Sequence, residues 1–285
     1  MKKTTRLRQL YAQGLLVAPG AFDGLSAKLV EQAGFSAVYS SGGAIARSTG
    51  VPDLGLLDLG DNVERVMQIA DAVEVPVIAD ADTGHGNALN ARKTARLFER
   101  AGVAGFHIED QILPKKCGHY DDKSIVSVQE FTGKIKAVRD ALHDDDFVII
   151  ARTDALAIDG LDAAIDRAHA YAEAGADVLF VEAPVSEEQI ARIARELPQP
   201  KLINMFYGGK TPLVPVSRLE ELGYAICIIP SDLQRSAIRA MQNALEVLKR
   251  DGNTGAIQDR LASFKEREEV IGSAAYAELD RKYGA

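Results

Sequence analysis

Cysteine is scarce in this sequence, and a long apolar run and a basic charge excess are both absent. The two cysteines, Cys117 in a polar segment and Cys227 in an apolar one, do not support a disulfide framework. No apolar stretch is long enough to span a bilayer, and the N-terminus lacks the apolar segment of a signal peptide, so we expect a cytoplasmic protein. The net charge of −8 disfavours nucleic acid or an anionic membrane as partner, because both bind basic surfaces.

Hydrophobic residues make up 47% of the chain and charged residues 26%, which is typical of a globular protein with a large core. Short apolar runs alternate with amphipathic helical patterns, and this alternation indicates a parallel sheet. Eight such runs favour a closed (β/α)₈ barrel of the TIM type over a doubly wound sheet, which usually has fewer strands. The predicted strands are Leu16–Ala18, Ala37–Tyr39, Val75–Ala79, Val103–Ile108, Phe147–Ala151, Val178–Val181, Lys201–Ile203 and Ala225–Ile229.

The end of the chain is charged and helical in pattern, without a further strand-like run. We therefore predict a catalytic barrel over residues 1–250 and a C-terminal helical extension over residues 251–285. Apolar residues of the extension, such as Leu261 and Phe264, must pack on the same barrel or on a neighbouring subunit, and the sequence alone leaves both options open.

Polar side chains follow the apolar runs where successive strands end. In a (β/α)₈ barrel the catalytic groups project from these ends, so we expect the side chains to converge. They are Asp80 and Asp82 after strand 3, Glu109 after strand 4, Arg152 after strand 5, Glu182 after strand 6 and Asn204 after strand 7.

Carboxylates that converge from adjacent strands repel one another unless a cation lies between them. Oxygen ligands select Mg²⁺, or alternatively Mn²⁺, over zinc, so Asp80, Asp82 and Glu109 predict a magnesium site. The alternative is that these acids cap helices or pair with Arg152. A substrate that chelates the ion through its own oxygens, such as a 2-hydroxy or 2-oxo carboxylate, fits such a site.

Two further segments are suited to an acidic substrate. Arg152 can bind a carboxylate through two parallel hydrogen bonds, and the backbone amides of Ser41, Gly42 and Gly43 can line an anion-binding turn. These features predict a small-molecule carboxylate as the partner.

Cys117 lies in the segment Lys115-Lys116-Cys117-Gly118-His119. Positive neighbours lower the pKa of a thiol, which suits a group that both donates and accepts a proton. We therefore interpret Cys117 as an acid/base residue, with a surface cysteine of no function as the alternative.

The sequence resembles the isocitrate lyase and phosphoenolpyruvate mutase superfamily, particularly its short members near methylisocitrate lyase, 2,3-dimethylmalate lyase and carboxyphosphonoenolpyruvate mutase. The matching segments occur in the same order over roughly residues 17–250. They are Pro19–Asp23, Ser41–Gly43, Pro52–Gly55, Ala79–Asp82, His107–Gln111, Lys115–His119, Ala151–Asp154, Asn204–Met205 and Gly208–Pro212.

The resemblance implies a role for individual residues of this chain. It implies a Mg²⁺ site built around Asp80 and Asp82, which Asp53 and Glu109 reach through water. It also implies that Cys117 protonates the departing carbanion. The residues implied to hold the α-keto acid half are Ser41, Gly42, Gly43 and Arg152, and those implied to face the other half are His119, Glu182 and Asn204. Tyr39 is implied to lie near the substrate hydroxyl.

The resemblance further implies a mobile loop around Cys117 and a homotetramer in which the C-terminal helices are exchanged between neighbouring barrels. Two segments depart from the usual pattern of related lyases: Tyr207 replaces an acidic residue, and Ser231-Asp232 follows the last strand. Both segments lie where the half of the substrate without the keto group is expected, so the identity of that half stays open.

We predict a Mg²⁺-dependent lyase that cleaves a carbon–carbon bond of a 2-hydroxy di- or tricarboxylate, similar to methylisocitrate or dimethylmalate, into an α-keto acid and a carboxylate. The alternatives on the same scaffold are a phosphonomutase or phosphonate hydrolase and an oxaloacetate hydrolase or decarboxylase. A non-catalytic binding module would be expected to have lost its metal site, whereas Asp80, Asp82, Glu109 and Arg152 are all present.

Overall fold

Eight parallel strands close into a barrel in which each strand pairs with its neighbours in chain order and β8 pairs with β1. The computed structural model describes residues 1–118, 120 and 122–284. This arrangement confirms the predicted (β/α)₈ fold. The strands are β1 Leu16–Ala21, β2 Val38–Ser40, β3 Val77–Asp80, β4 Gly105–Glu109, β5 Val148–Thr153, β6 Val178–Val181, β7 Lys201–Asn204 and β8 Ile226–Ile229.

Each predicted apolar run overlaps one strand, but several strands continue past the run into polar residues. Asp80 pairs with His107, and Glu109 pairs with Arg152, within the sheet. Pairing continues because it uses backbone groups, whatever the side chain. The polar side chains are therefore held on rigid strands rather than on the loops that follow.

Helices surround the barrel and extend beyond it. The described residues form thirteen α-helices and one 3₁₀ helix, Gly255–Arg260. The α-helices are α1 Lys3–Gln13, α2 Gly24–Gln32, α3 Gly42–Ser48, α4 Leu59–Ala72, α5 Ala88–Arg100, α6 Val128–Arg139, α7 Leu156–Asp159, α8 Leu161–Glu173, α9 Glu187–Glu196, α10 Val216–Glu221, α11 Asp232–Asp251, α12 Phe264–Ile271 and α13 Ser273–Tyr283.

Strand residues alternate between the interior of the barrel and the layer beneath the helices. On β4, Phe106 and Ile108 belong to the outer hydrophobic cluster, which also contains Phe98 of α5. The intervening residues His107 and Glu109 are buried on the opposite face, towards the interior. This alternation aims the chemically active side chains of β4 into the barrel.

Helix α11 differs from the helices that pack closely around the barrel, because Gln234 is its only buried residue. Its exposed apolar residues include Met241, Leu245 and Leu248. The division predicted between residues 250 and 251 stays a prediction. Across the described residues, no helix combines the length and apolarity that a membrane span requires.

We predict that Phe98→Ala lowers the free energy of unfolding by about 3–5 kcal/mol, because it empties a buried site in the outer cluster. The Phe98 ring is fully buried and meets the Phe106 ring edge-on, with centroids 5.7 Å apart. Chemical denaturation measures the loss. Leu89→Ala, at an exposed position of the same helix, is the matched control and should change the free energy of unfolding by less than about 1 kcal/mol. Equal losses in both variants would contradict the assignment of Phe98 to the core.

Candidate active site

A cavity of about 410 Å³ opens where the strands end and the following loops begin. It is lined by nine of the residues that the sequence analysis assigned to the site, so the structure brings them together. They are Tyr39, Ser41, Gly43, Asp53, Asp80, Cys117, Arg152, Glu182 and Asn204. Gly42, Asp82 and Glu109 lie beside these residues rather than in the lining, and His119 is outside the described residues.

Asp80, His107 and Glu109 form a buried cluster whose potential ligand atoms all lie within 4.8 Å of one another. His107, Lys115 and Arg152 outweigh the effect of burial and lower the pKa of Asp80 to about 2, so this carboxylate is charged at neutral pH. The cluster therefore offers a charged carboxylate next to two further ligands and can hold a divalent cation.

Glu109 is the member of the cluster with the least complete bonding. Its Oε2 lies 3.1 Å from Arg152 Nη1, and its buried Oε1 accepts no hydrogen bond from the described residues. Burial raises the pKa of Glu109 well above its ordinary value. A buried carboxylate oxygen without a hydrogen-bond partner is suited to bind a cation, because the cation would replace the water that the oxygen lost on burial.

Lys115 joins two of the predicted metal ligands. Its Nζ lies 2.5 Å from Asp53 Oδ1 and 2.8 Å from Asp82 Oδ1. Burial opposes the charge of Lys115, but Asp82, Asp53 and Asp80 outweigh it and raise the pKa of the ammonium well above its ordinary value. Asp53 and Asp82 therefore have a cationic partner from the chain itself. From the sequence, Lys115 was considered only as a positive neighbour of Cys117, so its role as the counter-charge of Asp53 and Asp82 was missed.

Tyr39 and His107 form a buried pair inside the barrel. The Tyr39 hydroxyl lies 2.8 Å from His107 Nε2 and 3.5 Å from Asp80 Oδ2. Burial raises the pKa of the Tyr39 hydroxyl well above its ordinary value and lowers the pKa of His107. Both groups are therefore neutral near pH 7, and a proton can pass between their facing O and N atoms.

The glycines after β2 permit a close approach of the chain to the acidic residues. A Cβ at Gly42 would lie 2.6 Å from Asp80 Oδ2, and a Cβ at Gly43 would lie 2.8 Å from Asp53 Oδ2. Ser41 caps α3, and its Oγ accepts a hydrogen bond from Ala44 N at 3.3 Å. A side chain at either position would therefore collide with a carboxylate of the site unless that carboxylate moved.

Arg152 is held by a neighbouring carboxylate on its own strand end. Its Nε and Nη2 donate to the two oxygens of Asp154, at 3.0 and 3.1 Å. The pair of donors expected to bind a substrate carboxylate is thus engaged within the protein, because Asp154 follows two residues later and points to the same side. Arg152 still lines the cavity.

The Cys117 segment packs down onto this ion pair. A Cβ at Gly118 would lie 2.6 Å from Glu182 Oε1, so the backbone there is in close contact with the barrel. Buried Lys123 donates to the carbonyl of Gly118 and, at 2.7 Å, to Asp154 Oδ1. Lys123 therefore ties the segment to the end of β5 and places Cys117 at the cavity.

The start of α11 and the residue before it provide a wall of the cavity, of which only Ser231 lies in a segment that the sequence placed near the substrate. Ser231, Gln234, Arg235 and Ile238 all line it. Their spacing of i, i+3, i+4 and i+7 places them on one face of a helix, and this spacing directly after the last strand is the signal that could have revealed them.

Known proteins are similar to this chain over nearly its whole length. The phosphoenolpyruvate phosphomutase family model matches residues 7–249. The chain is 44% identical to 2,3-dimethylmalate lyase of Eubacterium barkeri over 99% of both chains. It is 41% identical to 2-methylisocitrate lyase of Aeropyrum pernix, over 97% of this chain and 91% of that one. A solved structure of oxaloacetate acetylhydrolase with the inhibitor 3,3-difluorooxalacetate superimposes with a TM-score of 0.94 at 36% identity, covering 100% of this chain and 98% of that one.

We predict that Lys123→Met lowers the free energy of unfolding by about 3 kcal/mol at pH 7, because it removes a buried counter-charge of Asp154. Arg152 and Lys123 outweigh burial and lower the pKa of Asp154 to about 2, against 3.8 ordinarily. The pair therefore stabilises the fold above pH 3.8, and the difference between wild type and variant should shrink as the pH falls towards 2.

Chemical denaturation at several pH values measures this difference. Lys116→Met is the matched control, since Lys116 Nζ donates only to an exposed carbonyl, that of Asp122, among the described contacts. If Lys123→Met lowers the free energy of unfolding no more than Lys116→Met does, the stabilising role of the buried ion pair is contradicted.

Proposed function

This chain belongs to the phosphoenolpyruvate phosphomutase family of the isocitrate lyase superfamily, and on that basis we propose a Mg²⁺-dependent lyase that cleaves the C2–C3 bond of a 2-hydroxy di- or tricarboxylate. The observation that carries the proposal is the joint lining of one cavity by Cys117, Tyr39 and Asp80. A proton donor, a proton-accepting pair and a cation-binding carboxylate are the three requirements of such a cleavage.

We propose that Asp80 and Glu109 hold the cation, because their oxygens suit Mg²⁺ better than an imidazole does. His107 Nε2 is already engaged by Tyr39. Asp53 and Asp82, which Lys115 joins, are the further contributors inferred from the sequence. When bound, Mg²⁺ stabilises the negative charge that develops on the substrate oxygens.

The proton transfers follow from the positions of the side chains. Tyr39 receives the proton of the C2 hydroxyl as its own proton passes to His107 across the 2.8 Å contact. The C2–C3 bond breaks, C2 becomes the carbonyl of an α-keto acid, and the bonding electron pair moves to C3 and its attached carboxylate. The Cys117 thiol then gives its proton to C3, which completes the second product. The proton taken from the hydroxyl is released to solvent, and the thiolate is reprotonated from solvent.

Methylisocitrate and dimethylmalate are the proposed substrate types because the relatives with those names cover nearly the whole chain. Hydrolysis of oxaloacetate is the second candidate, because the structure of oxaloacetate acetylhydrolase is as similar to this chain, at a TM-score of 0.94, as that of 2,3-dimethylmalate lyase. The two differ in their products, since the lyase releases an α-keto acid and the hydrolase releases oxalate.

A panel of 2-hydroxy di- and tricarboxylates, assayed with Mg²⁺ for pyruvate or glyoxylate, tests the proposal. We predict turnover of at least one member and its loss on chelation of the metal. Cys117→Ser should lower kcat by about 10²- to 10⁴-fold, because the thiol no longer supplies the proton. Mg²⁺-dependent binding of pyruvate, measured by calorimetry, should persist in this variant.

Cys227→Ala is the matched control and should keep its activity, since Cys227 is buried in β8 on the far side of the strand from the cavity. Wild-type turnover by Cys117→Ser would contradict the acid role. If no panel member is cleaved and oxaloacetate gives oxalate, the chain is an oxaloacetate hydrolase and not a lyase. If no panel member is cleaved and the ³¹P NMR spectrum of phosphonopyruvate changes, the chain acts on a phosphonate.

We also propose a homotetramer in which the C-terminal helices are exchanged between subunits. The exposed apolar residues Met241, Leu245 and Leu248 on α11 support this assembly, because such a stripe usually packs against another surface. Leu245→Glu should lower the molecular mass measured by light scattering, and an unchanged mass would count against an interface at α11. The cytoplasmic location stays a prediction from the sequence.

A further inference from the structure

Helix α5 carries a row of basic side chains on its outer face. This basic row, which lines a shallow groove of about 310 Å³ together with Leu89 and Leu97, consists of Arg92, Lys93, Arg96 and Arg100. The spacing of three and four residues keeps these side chains on one face of the helix. The opposite face packs into the barrel through Phe98 and other buried residues. The groove is separate from the cavity at the strand ends, which no residue of α5 lines.

The basic row has no counter-charge in the part of the chain that the structure describes. None of its four side chains forms an ion pair or a hydrogen bond with another described residue. Arginines on other helices of the barrel differ. Arg139 of α6 lies 2.5 Å from Asp177 Oδ2, and Arg192 of α9 lies 2.6 Å from Asp162 Oδ1. Four adjacent cations without an acidic neighbour are therefore an exception in a chain with a net charge of −8.

The basic row also opposes the stability of its own helix. Arg96 is four residues from both Arg92 and Arg100, and like charges at this spacing destabilise a helix. Lys93, Arg96 and Arg100 are exposed and Arg92 is half-buried, so these side chains are not part of the core. The fold therefore does not require their charges, whereas a negatively charged partner would offset their repulsion.

The apolar residue in line with the basic row favours a polypeptide as that partner. Leu89 is 75% exposed and lines the same groove as the cations. It can pack against an apolar side chain of a polypeptide, whereas a phosphate backbone has no apolar group to offer it. The net charge of −8 also repels a long polyanion that reaches beyond the groove, but a short acidic segment meets mainly the local cations.

The dimensions of the groove fit a short segment. Leu89 and Arg100 are about 17 Å apart along the axis, at a rise of about 1.5 Å per residue. Successive arginines of the basic row are four residues, or about 6 Å, apart. Alternate side chains of an extended polypeptide are about 6.6 Å apart, so carboxylates at alternate positions can meet successive arginines.

We propose that the outer face of α5 is a docking surface for an acidic segment of a partner protein. Carboxylates of the segment bind the basic row, and an apolar side chain of the segment packs on Leu89. Arginine suits this role because its guanidinium binds a carboxylate through two parallel hydrogen bonds. The surface does not depend on the lyase function proposed above, since it lies outside the cavity.

Fluorescence anisotropy with two labelled peptides tests the surface. The first peptide alternates glutamate and alanine and has a leucine at one end, and the second has glutamine in place of every glutamate. We expect the wild type to bind only the glutamate peptide, and less tightly as salt is added, because exposed charges are screened. The α5 variant, Arg92→Gln with Arg96→Gln and Arg100→Gln, should bind the glutamate peptide at least about 10-fold more weakly.

The α5 variant should fold as the wild type does, because it removes like charges from an outer face. An unchanged or higher Tm, measured by circular dichroism, verifies this. The matched control removes three exposed cations that already have an acidic neighbour, through Lys2→Gln, Arg195→Gln and Arg218→Gln. It lowers the net charge by the same amount and should bind the glutamate peptide as the wild type does.

Leu89→Ser tests the apolar contact separately. It should weaken binding of the glutamate peptide about 3- to 10-fold and leave unchanged the binding of a version with alanine in place of the leucine. Equal binding of both versions by the wild type would remove Leu89 from the surface. None of these measurements requires turnover, so their outcome is independent of the lyase assignment.

The proposal is overturned if the wild type binds neither peptide, or if the control variant loses as much affinity as the α5 variant. Tighter binding of polyphosphate or duplex DNA than of the glutamate peptide would also overturn it, because the surface would then be a phosphate site. Light scattering gives a further decisive outcome. A lower molecular mass of the α5 variant than of the wild type would show that a second copy of this chain, and not a partner protein, covers the face.

Discussion

The balance of buried charge at the ends of the strands is the constraint on which the rest of this structure depends. A buried carboxylate without a counter-charge is strongly unfavourable, so each acid must be matched by a cation. Arg152 lies between Glu109 and Asp154, and Lys115 lies between Asp53 and Asp82. These contacts connect the ends of β3, β4 and β5 with the loop after β4. This matching is incomplete at Glu109, so the cluster that Glu109 forms with Asp80 and His107 can hold a divalent cation.

The same balance explains why the acid of the proposed reaction lies on a loop with lysines on either side of it. Lys115 and Lys123 are both buried, and both bind carboxylates of the barrel. The intervening segment carries Cys117, so neutralising the barrel carboxylates also brings the thiol to the cavity. The position of this loop therefore depends on the lysine–carboxylate pairs that neutralise the site. A thiolate formed at Cys117 would have these positive charges in its own segment.

The architecture could be predicted because each strand corresponds to a short apolar run in the sequence. The candidate site could be predicted because polar residues follow these runs. Asp80, Arg152 and Glu182 were found in this way and line one cavity. Pairing of an acid with Arg152 was the alternative considered from the sequence, and Glu109 makes this pair. The other partners could not be predicted, since they depend on register and on distant contacts. Lys115 meets Asp53 across 62 positions of sequence, and no periodic pattern encodes that contact. Ser231 was placed near the substrate from the sequence, but Gln234, Arg235 and Ile238 were missed because their spacing also occurs in any amphipathic helix.

Helix α11 connects two regions of this molecule. Gln234 and Arg235 on its first turn lie at the cavity, whereas Leu245 and Leu248 lie on an exposed apolar stripe further along the same helix. The Gln234 contact with α3 fixes the inner end of this helix at the cavity. A protein surface that packed on the exposed stripe would therefore be connected to the cavity wall through one continuous helix.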